Sequence, residues 1–237
     1  MATELPNATN KYSAEEIASF YELGYWETNT ALDLIDALAV QRPNDIFVSD
    51  STTSLSFSQL REQAYRTAAG LVRAGIEPGD RIGIQIPNWT DFVVAVLAAA
   101  RCRAVVVPMM TIYRNDEVNY ILQHSGARAA FTCGEFGGFN FAEIYEELYD
   151  DCPDLENIYL ARANEVTGRL NAMESLLADG NLDDIIAEIG DGPKPDDGHL
   201  IIYTSGTTAR PKGCFHTWNT AAFTARVMAK NLACGKN

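Results

Sequence analysis

From Ser58 to Thr132 the chain alternates between apolar residues at helical spacing and short, almost wholly apolar runs. Few folds admit that pattern. Leu60, Ala64, Ala68 and Leu71 share one face of a helix over 58–74, which ends at Gly75. The turn Glu77-Pro-Gly-Asp80 leads into a strand over 81–86. Pro87-Asn-Trp-Thr90 opens an apolar helix to about Ala100, and Ala104 to Val107 reads as a buried strand stopped by Pro108. Asn115 starts a third helix that ends near His124-Ser-Gly126, and Ala127 to Thr132 is the next strand. Strands without polar alternation are buried on both faces, and helices between them make parallel crossovers. The expected fold class is α/β, a mostly parallel sheet with helices on both faces.

The flanking segments extend this core. Ser13-Ala-Glu-Glu16 has the spacing of a capping box and opens a short helix that Gly24 ends. Phe20, Tyr21, Tyr25 and Trp26 form an aromatic cluster, expected to clamp an N-terminal arm (1–29) onto a body formed by 30–237. Leu32, Ile35 and Leu38 place a helix at about 30–41, stopped before Pro43. Two short strands, 46–50 and 54–57, flank the polar turn Ser51-Thr-Thr53 as a hairpin. After Cys133 the pattern predicts helices at about 140–151, 170–178 and 181–189, with one strand near 157–160. Gly190 to Gly198 is a stiff, polar connector.

Charge is distributed unevenly. The 237 residues carry a net charge of −14, which argues against a chain that wraps nucleic acid. Residues 135–199 hold 17 acids and 3 bases, whereas residues 200–237 hold 5 bases and no acid. Carboxylates rarely stay charged when buried unpaired, so the acidic stretch reads as a solvated face. An anion site belongs in the last segment. The five cysteines include no CxxC, and His124, His199 and His216 fall at no metal-ligand spacing, so no metal site is expected. Free buried thiols, a polar N-terminus and no apolar run of membrane length point to a cytoplasmic protein without a membrane span.

His199-Leu-Ile-Ile-Tyr-Thr204 reads as a buried strand running into Ser205-Gly-Thr-Thr-Ala-Arg-Pro-Lys-Gly213, with a helix from about Thr217 to Lys230. Small residues let backbone N–H groups approach a phosphate, hydroxyls donate further hydrogen bonds, and an ammonium neutralises charge. Each charge-assisted bond to a phosphate contributes roughly 1.5–3 kcal/mol. Two other nucleotide motifs are excluded. A Walker A loop needs Gly before its Lys and Ser or Thr after it, but Pro211 and Gly213 flank Lys212. A dinucleotide fingerprint fails because Pro195 holds the third glycine position after Gly190 and Gly192.

Tyr203-Thr-Ser-Gly-Thr-Thr-Ala-Arg-Pro-Lys-Gly213 resembles the phosphate-loop signature of the adenylate-forming superfamily, which includes acyl-CoA synthetases, peptide-synthetase adenylation domains and luciferases. Leu55-Ser-Phe-Ser-Gln-Leu60, Gly79-Asp-Arg-Ile-Gly-Ile-Gln-Ile-Pro-Asn88, Ala104-Val-Val-Val-Pro108 and the run from Glu117 to Ala127 are similar to that family's earlier landmarks. The resemblance implies an enzyme that joins a carboxylic acid to ATP, releases pyrophosphate and passes the acyl group to a thiol, commonly coenzyme A. It implies that Thr204, Ser205, Gly206, Thr207, Thr208 and Lys212 hold the β- and γ-phosphates, with Mg²⁺ sharing the charge and Lys212 as the catalytic candidate. His216 follows at a position where relatives often carry a histidine. A substrate contact and a helix-cap or core histidine both remain open there.

Two departures from the family pattern matter. Position 209 is Ala where relatives usually have Gly, and a negative φ is expected for it. The resemblance also implies that the adenine-stacking segment, the ribose-binding aspartate, most of the acyl pocket, the hinge and a C-terminal lysine lie beyond Asn237, so the chain alone is expected to be inactive. Phe20-Tyr-Glu-Leu-Gly-Tyr-Trp26 and Met110-Thr-Ile-Tyr-Arg114 resemble bacterial ligases for medium-chain or alicyclic acids, such as cyclohexanecarboxylate. The alternatives are an amino-acid- or aryl-acid-adenylating enzyme and a noncatalytic binding remnant.

Overall fold

The computed structural model describes residues 6–163, 166, 168–204 and 210–232. Helix α1 (Ala14–Glu22) opens on the expected capping box: Glu16 N–H donates to Ser13 Oγ, and Ser13 N–H donates to Glu16 Oε2. Helix α2 (Ala31–Gln41) has the same device in Thr30 and Asp33. Strands β1 (Ile46–Ser49) and β2 (Ser54–Ser56) pair antiparallel as a hairpin. Then come α3 (Phe57–Arg73), β3 (Arg81–Ile84), α4 (Thr90–Arg101), β4 (Val105–Pro108), α5 (Asn115–Ser125) and β5 (Ala127–Cys133). Each lies within a few residues of its place in the sequence reading.

The acidic half begins with a small hairpin, β6 (Glu135–Phe136) and β7 (Phe139–Asn140), followed by α6 (Phe141–Leu148) and β8 (Asn157–Ala161). The helix expected at 170–178 is absent. In its place are β9 (Asn171–Ala172), paired parallel to β8, and a 3₁₀ turn at Met173–Leu176. This segment lies close against α3, where a Cβ at Gly70 would overlap the Leu176 carbonyl oxygen. Helix α7 (Leu182–Ile189) follows, then β10 (Gly198–Thr204), β11 (Lys212–Thr217) and α8 (Trp218–Asn231). Strand β11 corrects the sequence reading, which left Lys212 and Gly213 in a loop.

Among the described residues seven strands form one sheet in the order β11-β10-β4-β3-β5-β8-β9, parallel except for β10 with β11. Side chains alternate across it with period two. Ile82, Ile84, Val106 and Phe131 face a core shared with α2, α3 and α4. Val107, Ala130, Ile158 and Leu160 face a second core with α5 and α6. Fully buried residues such as Leu60, Leu71, Ile121 and Leu122 each stabilise the layers by roughly 1.5–3 kcal/mol. At the start of the chain, Gly198 N–H donates to Pro6 O, and the Tyr21 hydroxyl donates to Asp196 Oδ1. Trp26 is buried there against Tyr12, Phe20 and Tyr21.

Candidate active site

The segments that leave β3, β4 and β10 at their carboxyl ends enclose a cleft of about 820 Å³. Open parallel sheets bind ligands at this edge, where the winding direction reverses. Here β3 lies between β4 and β5, so the reversal falls beside the cleft. Trp89, Phe92, Met109, Tyr113, Ile202 and Tyr203 give it apolar walls, and Asp50 of the β1–β2 turn and Phe136 stand at its side. Buried Gln85 shapes one wall, since its Nε2 donates to Met110 O at 2.9 Å and to Tyr113 O at 3.3 Å.

Asp50 is the one ionised side chain among the described lining residues. The Thr90 backbone amide, then that of Thr52, holds its carboxyl well below the usual carboxylate range, and Arg162 and the Thr53 amide add to the effect. These groups occupy both oxygens: Thr90 N–H donates to Oδ2 at 2.9 Å, and Thr52 N–H and Thr53 N–H donate to Oδ1 at 2.8 and 3.0 Å. A carboxylate so engaged is an anchor, and it is unsuited to accept a proton from substrate.

Beside the cleft, β10 and β11 pair from Gly198 with Thr217 to Thr204 with Lys212. The proposed phosphate loop therefore closes a hairpin at Thr204 and Lys212. Both are exposed, and Lys212 makes no ion pair among the described residues. Ser205, Gly206, Thr207 and Thr208 lie outside the described residues, as does Ala209 with its expected φ. On the returning side, the Tyr120 hydroxyl donates to Pro211 O at 3.1 Å, and the Arg210 guanidinium lies 5.1 Å from the Tyr120 ring centroid.

Under the hairpin sits a group that the sequence reading missed. The Tyr203 hydroxyl and His124 Nδ1 are 2.7 Å apart, and the Tyr120 ring packs on both. Burial pushes the Tyr203 phenol up to about 12, with Tyr120 adding to the shift, so it stays a neutral hydrogen-bonding group at physiological pH. Tyr120 and His124 are four apart in α5 and share a face. That spacing was the available signal.

His216 is not brought to this place. It pairs with Leu200, four residues along β11 from Lys212, about 13 Å at the rise of a strand. Its Nδ1 reaches Thr220 Oγ1 at 3.5 Å, and burial, followed by the charge of Lys11, lowers its pKa. No group of three His, Cys, Asp or Glu side chains among the described residues is placed to hold a metal ion, and no described helix is long and apolar enough to cross a membrane.

Known proteins place this geometry in a family. The chain is similar to the salicyl-AMP ligase / salicyl-S-ArCP synthetase of Mycobacterium tuberculosis, 28% identical over 228 residues, covering 92% of this chain and 38% of that protein. It is similar to the medium-chain fatty-acid–CoA ligase of Escherichia coli, 26% identical, covering 94% of this chain and 39% of that protein. The apo structure of MbtA from Mycobacterium smegmatis superposes with a TM-score of 0.80 at 24% identity over 92% of this chain and 39% of that one. The chain thus spans about two fifths of the length of the relatives it matches. The family described as AMP-binding enzyme matches residues 35–235, and the chain belongs to it.

Proposed function

We propose that this chain is the phosphate-binding part of an ATP-dependent ligase that activates a carboxylic acid as its acyl-adenylate and passes the acyl group to coenzyme A. The reading rests on one observation: the β10–β11 hairpin closes at Thr204 and Lys212 on the carboxyl edge of the sheet, beside an apolar cleft. An exposed ammonium and an exposed hydroxyl at that mouth suit a polyphosphate, and the hydroxyl suits a magnesium ion that keeps most of its waters. When bound, Mg²⁺ neutralises part of the phosphate charge.

In this reading Thr204, Ser205, Gly206, Thr207, Thr208 and Lys212 hold the β- and γ-phosphates. A substrate carboxylate oxygen attacks the α-phosphorus, the bond to the bridging oxygen breaks, and pyrophosphate leaves. The loop's part is to fix the leaving group and meet the charge that grows on it. The cleft takes the apolar body of the acid, and its aromatic and aliphatic walls favour a medium-chain or alicyclic group. His216, by its distance from Lys212, serves the packing of α8. Residues 1–29 act as an arm on the 30–237 body, a reading supported by the Tyr21–Asp196 contact. Buried free thiols at Cys102, Cys133 and Cys152 support a cytoplasmic setting.

The test is ATP binding by calorimetry to the 237-residue chain and to Lys212→Ala. Losing one charge-assisted contact should weaken binding by about tenfold or more, while the unfolding free energy moves by less than about 0.5 kcal/mol. Equal ATP affinity in both proteins would remove Lys212 from the site. The chain alone should show no carboxylate-dependent exchange of pyrophosphate into ATP. In a longer protein carrying it, octanoyl-CoA formation selects the finer reading, and salicylate-dependent exchange without a thioester selects an aryl-acid-adenylating enzyme.

A further inference from the structure

Arg162 follows β8 with a φ of +53°, in the left-handed region that L side chains rarely adopt. Its side chain accounts for the placement. Nε donates to Asp91 Oδ2 at 2.8 Å, Nη1 to Thr52 Oγ1 at 2.9 Å, and Nη2 to Asp50 Oδ2 at 2.5 Å. The guanidinium carbon lies 4.4 Å from the centroid of the Trp89 ring. On the β5 side, Phe136 packs edge-on against that indole, with centroids 5.8 Å apart at 90°.

One side chain thus joins three segments that are far apart in sequence: the β1–β2 turn, the start of α4 and the end of β8. Asp50, Trp89 and Phe136 line the cleft, and Arg162 stands behind them on a neighbouring cavity of about 330 Å³ that Thr52, Thr90 and Asp91 also line. Arg suits this place because its planar fork donates in three directions while its face stacks on an indole. A Lys offers neither the fork nor the plane.

We propose that Arg162 is a positioning residue that fixes the Trp89 wall of the cleft and thereby selects among carboxylic acids by the bulk of their apolar group. The selectivity half rests on the function proposed above, and the positioning half does not. Widening or tilting an apolar wall changes the preference between acids of different bulk by about tenfold.

The test uses the full 237-residue chain labelled with 5-fluorotryptophan, which gives signals from Trp26, Trp89 and Trp218. Trp89→Phe assigns the middle one. Arg162→Lys should move the Trp89 fluorine signal and leave Trp26 and Trp218 in place. Titration with octanoate and with cyclohexanecarboxylate should then give a ratio of affinities shifted by about tenfold from the parent chain. Asp91→Ala removes the acceptor that Arg162 Nε and Nη2 share, and it decides the matter if Arg162→Lys fails to fold. An unmoved Trp89 signal in the folded variants overturns the proposal, as does a moved signal with an unchanged acid preference. If Trp89 moves but neither acid binds the parent chain, positioning stands and the carboxylate reading of the cleft fails.

Discussion

Gly213 stands directly opposite Tyr203 in the β10–β11 pair, and a Cβ there would lie 2.9 Å from Ile201 Cγ2 and 3.3 Å from Tyr203 Cζ. The glycine that closes the loop signature therefore has a packing reason: it leaves room for the ring that holds His124 and lines the cleft. Gly213→Ala should destabilise the chain by about 1–3 kcal/mol through overpacking, since the Ile201 and Tyr203 side chains must give way. Urea denaturation measures it, and an unchanged midpoint would show that the hairpin absorbs a methyl group freely.

Asp36 on α2 gathers three partners. Arg61 Nε donates to it at 3.0 Å, Arg101 Nη2 at 2.7 Å and the Tyr65 hydroxyl at 3.1 Å. Arg101 is 4% exposed and lies over the Tyr65 ring at 3.6 Å. Asp36→Ala leaves that guanidinium buried without its counter-charge. A fully buried pair broken this way costs about 3–5 kcal/mol, and with Asp36 partly exposed about 2 kcal/mol is expected. Arg101→Met, which removes the cation and keeps the stem, should cost less. The reverse order in a denaturation experiment would mean that stem packing outweighs charge.

The α/β core was legible because its strands are continuous apolar runs and its helices end at Gly75 and Gly126, signals that need no tertiary knowledge. Strand β11 was not. Lys212, Gly213 and Cys214 are exposed at the sheet edge, so no burial pattern marks them as a strand. The turn at Met173–Leu176 packs against Gly70, about a hundred residues away, a contact that no local pattern marks. For the site, the residues proposed to hold phosphate stand out by composition, whereas the cleft draws its walls from separate loops that only the sheet order brings together. Arg162 illustrates the limit: nothing around it in sequence names Asp50, Asp91 or Trp89 as partners.

Thiol reactivity should follow burial. Cys102, Cys133 and Cys152 are buried, and burial pushes their thiols up to about 12, 11 and 11, so little thiolate forms near neutral pH. Cys214 is exposed on β11. Brief alkylation of the native chain with iodoacetamide, followed by peptide mass mapping, should label Cys214 and spare those three until urea is added. Comparable labelling of Cys133 in the native chain would mean that the β5 end opens readily.

His199 should contribute to the acid limb of stability. Its ring stacks on Trp218, with centroids 3.7 Å apart at 17°, and its Nδ1 is buried without a hydrogen-bond partner among the described residues. Burial, with a smaller contribution from His216, lowers its pKa from 6.5 to about 4. Above pH 6.5 both folded and unfolded chains hold it neutral, and it contributes no pH dependence. As pH falls from 6.5 towards about 4, the unfolded chain takes up a proton that the native state refuses, so stability declines. The slope approaches about 1.4 kcal/mol per pH unit and the total is roughly 2–4 kcal/mol. Asp50 acts in a lower window. Its folded pKa is depressed, so its stabilisation is present above the ordinary carboxylate range and lost progressively below it. His199→Phe keeps an aromatic ring on Trp218 and removes the titration. Urea midpoints measured from neutral pH down to about pH 4 should therefore fall less for the variant than for the parent chain, while both fall alike under more acidic conditions. Two parallel curves across the upper window would mean that His199 is already protonated in the folded state or that its stack opens to solvent.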